Sequence, residues 1–538
     1  MSLSLPGRAF VNQYEAALNP NSKVPRSKFL NSWTRKSTFD VGLIYPILVE
    51  EILPGDSMKY EATILARLET PRYPLMDGMR IDTHFFFVPN RLVWTNWKRF
   101  MGEQYGAGDS INYTIPQIVS PTGGFAQNSI FDHMGLPVNG QITVGETITV
   151  NALPFRAYGL CYQEWFRDQN IQVNNIPALG DGPDPFTNYG LSARNKQHDY
   201  FTSCLPWPNK FTAPNVAFTG TAPVIGIGFP TTTNVTGTKS VTETGGGVVN
   251  YSAWRDTSTA SDFLVVRGTA ASGSQPQVFA NLAAAPGVSI NNLRQAFLIQ
   301  ELLERDARMG TRYIEMIKGQ FDVTSPDARQ QRPEYIGGGS TDLNVTPVAQ
   351  TTPGALPVGT LGAAGTASGQ HRASYAATEH GFILGLMSVR PELTYQQGLS
   401  RMWTRLTRVD HYFPALAGLG EQAVLQQEIF CTGVDAADNT VFGYQERWHE
   451  YRTRTSEVVG KFRSTSTGPL DAWHLGQRFT VAPTLNTSFI NVSDLPVQRA
   501  LVLGAASVTQ ELIADILFRR EAVRPIPMYG VPVTLGRL

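Results

Sequence analysis

Asp82-Thr-His-Phe-Phe-Phe-Val-Pro-Asn-Arg-Leu-Val-Trp-Thr-Asn-Trp-Lys-Arg-Phe-Met-Gly-Glu103 reads as a buried aromatic strand running straight into a short amphipathic helix. Pro89 stops the strand. Asn90 is placed to cap a helix over Arg91–Met101, and Gly102 to close it. Trp94, Trp97 and Met101 would then share one face. Upstream, Leu43, Tyr45, Ile47 and Val49 alternate ahead of the turn Pro54-Gly55-Asp56. Tyr60, Ala62, Ile64, Ala66 and Leu68 alternate until Pro71, and Met79, Ile81 and Thr83 lead into the phenylalanines. Period-two alternation bounded by Pro and Gly predicts strands.

Downstream, a short strand is expected within Gln141–Val150 and a helix over Leu153–Phe166. Ser289 is placed to cap a longer helix in which Leu293, Phe297, Gln300 and Glu304 lie along one line, closed by Gly310. Another helix follows at Thr311–Lys318. Phe382–Val389, Asn439–Arg447, Ala500–Leu503 and Ile513–Phe518 are further strand candidates, and Arg524 opens an extended tail. Strands at both ends with helices between them describe a mainly β protein, a β-sandwich with helical insertions in its loops.

The bulk numbers agree. Of 538 residues, 42% are hydrophobic and only 16% charged, with Gly 49 and Pro 35. Soluble domains carry roughly 25% charged residues, so this surface is charge-poor, as in proteins that bury much of it against copies of themselves. Lys+Arg 44 balances Asp+Glu 44. A chain without net charge does not condense nucleic acid by bulk charge and needs a local basic patch to do so. Three scattered cysteines, Cys161, Cys204 and Cys431, make neither a disulfide framework nor a zinc pattern. The start Met1-Ser-Leu-Ser-Leu-Pro lacks the charged-then-apolar order of a signal peptide. Apolar runs such as Gly381–Val389 fall far short of the ~20 residues that span a bilayer, so no membrane insertion is expected.

Three segments stand apart from a main domain over 41–538. Residues 1–40 read as an extended basic arm. Lys23, Arg26, Lys28, Arg35 and Lys36 recur among Phe29, Trp33 and Phe39, a mixture that can meet phosphates while rings stack on unpaired bases. Lacing between neighbouring copies is the other reading of the same arm. Residues 212–288 are rich in Thr, Gly, Val, Ala and Ser and read as a surface excursion with short strands of its own, such as Val216–Phe218 and Phe263–Val266. Residues 337–378 are similar in composition and read as an exposed flexible loop.

Several blocks in order carry a resemblance: Leu53-Pro-Gly-Asp-Ser57, Thr70-Pro-Arg-Tyr-Pro-Leu-Met-Asp77, Asn195-Lys-Gln-His-Asp-Tyr-Phe-Thr-Ser203, Arg305-Asp-Ala-Arg-Met-Gly-Thr-Arg-Tyr-Ile-Glu315, Phe442-Gly-Tyr-Gln-Glu-Arg447 and Arg524-Pro-Ile-Pro-Met-Tyr529, beside the opening stretch. The sequence resembles the major capsid proteins of the microviruses, small single-stranded DNA phages, above all the gokushovirus branch. The resemblance implies an eight-stranded viral jelly roll with long loop insertions. It also implies a T=1 icosahedral shell of identical copies, assembled in the bacterial cytoplasm with an internal scaffolding protein and a small basic DNA-packaging protein around a single-stranded DNA genome. A long insertion forming a protrusion is a further implication, with 212–288 the first candidate for it and 337–378 the second; binding of a host surface receptor by that protrusion is a separate reading.

The chemistry-bearing motifs are weak. GxxxxGK[ST], HExxH, paired CxxC and EF-hand loops are absent, and no cofactor, metal site or catalytic residue is expected. Gly226-Ile-Gly228 lacks the Lys of a phosphate loop. His198-Asp199 and Asp410-His411 are adjacent pairs whose side chains diverge in a strand. Cys161 reads as a buried apolar thiol, and Asp181-Gly-Pro-Asp184 as a turn with a weaker reading as calcium oxygens. The alternative from another class is a carbohydrate-binding or carbohydrate-cleaving β-sandwich, with Trp and Tyr lining a groove and two carboxylates across it.

Overall fold

The computed structural model describes residues 25–106, 108–174, 176–214, 290–349, 351, 359, 361–392, 394–502 and 510–529. Within 215–289 it describes the backbone of four short strands only. The chain divides into two compact units, residues 1–208 with 306–538, and residues 209–305.

The first unit is built on eight long strands: β1 (Ser27–Phe39), β2 (Leu43–Ile52), β3 (Ser57–Leu68), β4 (Met79–Pro89), β5 (Glu334–Ala349), β6 (Leu361–Ala376), β7 (Gly381–Pro391) and β8 (Leu512–Arg524). They hydrogen-bond in the order β1-β8-β3-β6-β5-β4-β7-β2, and a ninth short strand, Ser192–Ala193, extends the β2 edge. All pairings are antiparallel. One half, β1-β8-β3-β6, and the other, β5-β4-β7-β2, share a single core. Phe39, Ile64, Phe85, Phe87, Ile383, Met387, Ile516 and Phe518 all lie in it. Two four-stranded halves closed on one core, with chain-distant strands paired in this order, make an eight-stranded viral jelly roll.

β5 and β6 close the sheet. β5 pairs with β4 through Glu334–Leu343 and with β6 through Asn344–Ala349, changing its main partner along its length. Of residues 337–378, expected as a flexible loop, 337–349 and 361–376 are instead parts of the paired strands β5 and β6, and most of 350–360 lies outside the described residues. The glycines that suggested a loop serve close approach. Gly337 has φ +152°, and a Cβ there would sit 2.5 Å from the Arg372 carbonyl oxygen, while one on Gly338 would collide with the Thr83 carbonyl.

The two halves differ on their outer faces. β4 and β7 are buried on both sides. Phe85 and Phe87 point into the sandwich core, while Phe86 and Val88 join a second core with Trp94, Trp97, Phe131, Leu153, Phe155 and Leu384. The expected helix after Pro89 breaks into Asn90–Val93 and Trp97–Phe100, Asn90 makes no capping bond, and Met101 is exposed. Helix α1 (Leu153–Cys161) packs on this layer and runs into a π-turn at Tyr162–Phe166. A third core, with Tyr200, Phe201, Tyr395, Val424, Phe442 and Phe489, gathers the loops after β7. The Asn439–Arg447 expectation appears there as Val441–Glu446, paired with Glu421–Leu425. Of the Ala500–Leu503 expectation, Ala500 ends the helix Leu495–Ala500, Leu501 makes one isolated bridge to Pro71, and Leu503 lies outside the described residues.

In the second unit the strands Val224–Ile225 with Phe279–Ala280, and Thr238–Thr242 with Val248–Ser252, form two antiparallel pairs. Val216–Phe218 and Phe263–Val266 lie outside the described residues. Helix α2 (Ile290–Met309) ends before Gly310, which has φ +91°, and α3 (Tyr313–Phe321) follows. No helix among the described residues is long and apolar enough to cross a membrane.

Candidate assembly and nucleic-acid surfaces

The basic arm is, from Ser27 onward, part of the sheet. β1 pairs along its whole length with β8. Lys23 and the rest of 1–24 lie outside the described residues. Burial alternates along β1, so its basic side chains fall on two faces. Lys28 bonds Glu521 at 2.7 Å and Lys36 bonds Asp515 at 2.9 Å, both on the outer face. Arg35 points the other way, to the carbonyls of Ile47 and His133. Arg26 reaches the Gly55 carbonyl. Trp33 stacks on Phe518 at 5.4 Å and packs on the core, with Arg520 over its ring. Its face is therefore taken, and Trp33 does not present the platform for a base that the sequence suggested. The strand forms because β8 supplies both backbone partners and the matching carboxylates, neither of which is near in sequence.

Among the described residues this half of the sheet leaves its outer face exposed, Leu30, Leu65 and Ile513 included. In register across β1, β8, β3 and β6 lie Ser32, Arg519, Glu61 and Arg372, and four residues along lie Lys36, Asp515, Leu65 and Ser368. Arg519 and Arg372 both reach Glu61, at 3.3 and 3.2 Å. Exposed pairs of this kind contribute little to stability.

The loops carry unpartnered apolar surface. Met402, Trp403, Leu406, Val409 and Tyr412 stand exposed on a run of three-residue turns, Trp403 by 70% and Leu406 by 90%. Tyr451 and Val459 are exposed as well. Large apolar side chains exposed in such number, here interspersed with Arg405, Arg408 and Asp410, mark a protein-protein contact. The carboxylates beneath it are not free: Glu428 is held by Arg401 at 3.2 Å and by Tyr200, and Glu450 by Arg405 at 2.9 Å and by Gln422. Burial raises Glu428, against the opposing pull of Arg401.

The other motifs resolve into structural contacts. Cys161 is fully buried and burial pushes its thiol well up. Asp199 accepts from Thr202 and Tyr395, and Asp410 from the backbone of Leu406 and Thr407. Asp181 accepts from Asn96 and Trp94, which lower it. Asp184 meets Arg156, a residue that composition and motif reading did not single out. Its only sequence signal is a lone charge in the apolar segment Leu153–Cys161. Among the described residues no group of three or more His, Cys, Asp or Glu is placed to hold a metal ion.

A closed jelly roll with one exposed sheet face, and with aromatic loops left uncovered, is the build of a shell subunit from a small virus. The chain belongs to the phage capsid family described as "Capsid protein (F protein)", whose pattern matches residues 18–534. It is 44% identical over 533 residues to capsid protein VP1 of Bdellovibrio phage phiMH2K, covering 98% of each chain. It is 38% identical to capsid protein VP1 of Chlamydia phage 1, over 95% of this chain and 96% of that one. Its identity to capsid protein VP1 of Spiroplasma virus 4 is 34%, over 96% and 97%. It is a structural capsid subunit of the microvirus kind, and its place is the virion.

Proposed function

We propose that copies of this chain close into a T=1 icosahedral shell around a single-stranded DNA genome. In this reading assembly takes place in the cytoplasm of the bacterial host, with an internal scaffolding protein and a small basic packaging protein. The observation that carries the shell reading is the set of exposed apolar side chains from Met402 to Tyr412, which needs a neighbour to cover it. Loops on a stiff sandwich give the heterologous contacts from which closed shells are made. The balance of 44 basic and 44 acidic residues supports a separate basic protein for neutralising the genome. A DNA-contacting arm keeps support from Lys28 and Lys36 on the outer face of β1, each already sharing its charge with β8.

Electron microscopy of the chain co-expressed with its neighbouring viral genes tests the reading. Closed icosahedral particles are expected, and a twofold dimer with an open groove would refute it in favour of the carbohydrate reading.

Residues 209–305 form a compact unit of their own, which supports the reading of 212–288 as a separable protrusion that meets a host receptor. Deleting 220–285 is expected to leave particle yield intact and to remove most attachment to host cells. Loss of folding on that deletion, or full attachment, would sink it.

A further inference from the structure

A recess of about 700 Å³ lies between the π-turn after α1, the segment following Ser192–Ala193, and the α2–α3 junction. Arg167, Arg194, Lys196, Arg308, Arg312 and Arg390 line it, against the carboxylates of Asp168 and Glu315. Three of these cations, Arg167, Arg194 and Lys196, have no carboxylate within 4.0 Å among the described residues. The Arg194 guanidinium lies 5.0 Å over the Phe166 ring, its Nε is buried without a hydrogen bond, and no described carboxylate is within 4.0 Å. Asp82, the anion that acts on it, is already bonded by Arg390 at 2.8 Å. Arg167 gives one nitrogen to the Gln172 carbonyl at 2.9 Å, and its Nε is likewise buried and unbonded. Lys196 is buried, donates to the neutral Gln477 side chain at 2.7 Å, and sits 4.2 Å over Phe489.

Elsewhere in this unit several enclosed guanidinium groups are compensated. Arg156 holds Asp184, Arg401 holds Glu428 and Arg405 holds Glu450. Arg35 and Arg499 take backbone carbonyls. A buried charge left without a partner is strongly unfavourable. Lys196 is buried, while Arg167 and Arg194 are half-buried with enclosed, unbonded Nε atoms, and three such charges around one opening describe a site that is completed by an anion from outside.

We propose that this recess binds a phosphate of single-stranded nucleic acid, with Arg194 and Arg167 as the forks that grip it and Lys196 as a third charge. Planar guanidinium groups match phosphate oxygens two at a time, and the volume suits a nucleotide-sized group. The choice of nucleic acid rests on the reading of a shell around a genome, where the abundant anion is the phosphodiester backbone.

The test uses the full chain released from particles. Binding of an oligothymidylate is followed by fluorescence anisotropy against salt, for the wild type, Arg194→Met and Arg167→Gln. Each substitution is expected to weaken binding on the order of tenfold and to flatten the log–log salt slope by roughly 0.7 per lost contact. Without anion, Arg194→Met is expected to melt at the wild-type temperature or above it, because the unpaired charge is gone. A merely structural arginine would lower it. Equal affinity and equal slope in all three chains would overturn the proposal. So would stabilisation by inorganic phosphate without oligonucleotide binding, or preferential binding of polyglutamate at these residues. Wild-type particles devoid of nucleic acid would refute the genome reading, while phosphate-dependent melting lost in Arg194→Met would still uphold the anion site.

Discussion

Replacing Asp184 with alanine is expected to destabilise the folded chain by about 3–5 kcal/mol, the cost of leaving a buried charge without its partner. Arg156 is fully buried, and its Nε and one terminal nitrogen bond the two Asp184 oxygens at 2.8 and 2.7 Å. Its other terminal nitrogen bonds the carbonyls of Val93 and Gly180 at 3.1 and 2.8 Å. Tyr189 donates to the same carboxylate at 2.5 Å. One guanidinium thus ties α1 to the Asn90–Val93 helix and to the turn at Gly180–Asp184, which is how the outer layer stays fastened over β4. Urea unfolding gives the measurement, and the double substitution Arg156→Met with Asp184→Leu is expected to recover most of the loss. A single substitution costing under about 1 kcal/mol, the scale of an exposed pair, would show that the network is not desolvated.

Acid should act on the same bond. Burial pushes the Asp184 carboxyl up, but the hydrogen bonds from Arg156 and Tyr189 outweigh it and leave it below the usual carboxylate range. The stabilisation is therefore present above the unfolded-state value and lost as pH falls through the folded one.

The opening strand was legible because everything that defines it is local. Aromatic residues have no other use in such density, and Pro89 marks the end to the residue. β5 and β6 were not legible, because glycine is depleted in ordinary strands. Gly337 and Gly338 are there for contacts with Arg372 and Thr83, one from the facing strand and one some 250 residues earlier, and spacing carries no trace of either. β1 was missed for a related reason. Its inward positions include Asn31, Arg35 and Ser37 beside Phe29, Trp33 and Phe39, so the alternation that marks a strand is blurred, while its partner β8 lies near the other end of the chain. The arm's cations were visible as cations, but the carboxylates that meet them, Asp515 and Glu521, are not near them in sequence. The trio Arg167, Arg194 and Lys196 was invisible for the converse reason: a basic residue in a sequence does not announce how far it is enclosed or which carboxylates lie near it.

Glu511→Gln is expected to stabilise the chain at neutral and higher pH, by up to about 3 kcal/mol, and to change nothing below pH about 4. Glu511 stands at the start of β8, only 2% exposed. One oxygen accepts from the Val41 backbone at 2.7 Å, and the other is buried. Burial pushes its carboxyl up to about 7, opposed by hydrogen bonds from the Val41 backbone and the Gln498 side chain and helped by the charges of Asp40 and Asp494. Asp40 is raised as well, again mainly by burial. The folded state therefore holds the Glu511 proton where the unfolded chain, near 4.5, has released it. Stability from this group is whole below the unfolded value and is lost as pH rises towards 7. The gap between 4.5 and about 7, at about 1.4 kcal/mol per pH unit, sets the 3 kcal/mol ceiling. Glutamine keeps an acceptor for Val41 and cannot ionise. Unfolding free energies of the two chains should coincide at pH 4, diverge from pH 5 to 7, and run parallel above that. A constant difference at every pH would mean that the substitution acts through packing. A wild type that gains on the variant as pH rises would mean that Glu511 is ionised in the folded subunit and paired with a cation.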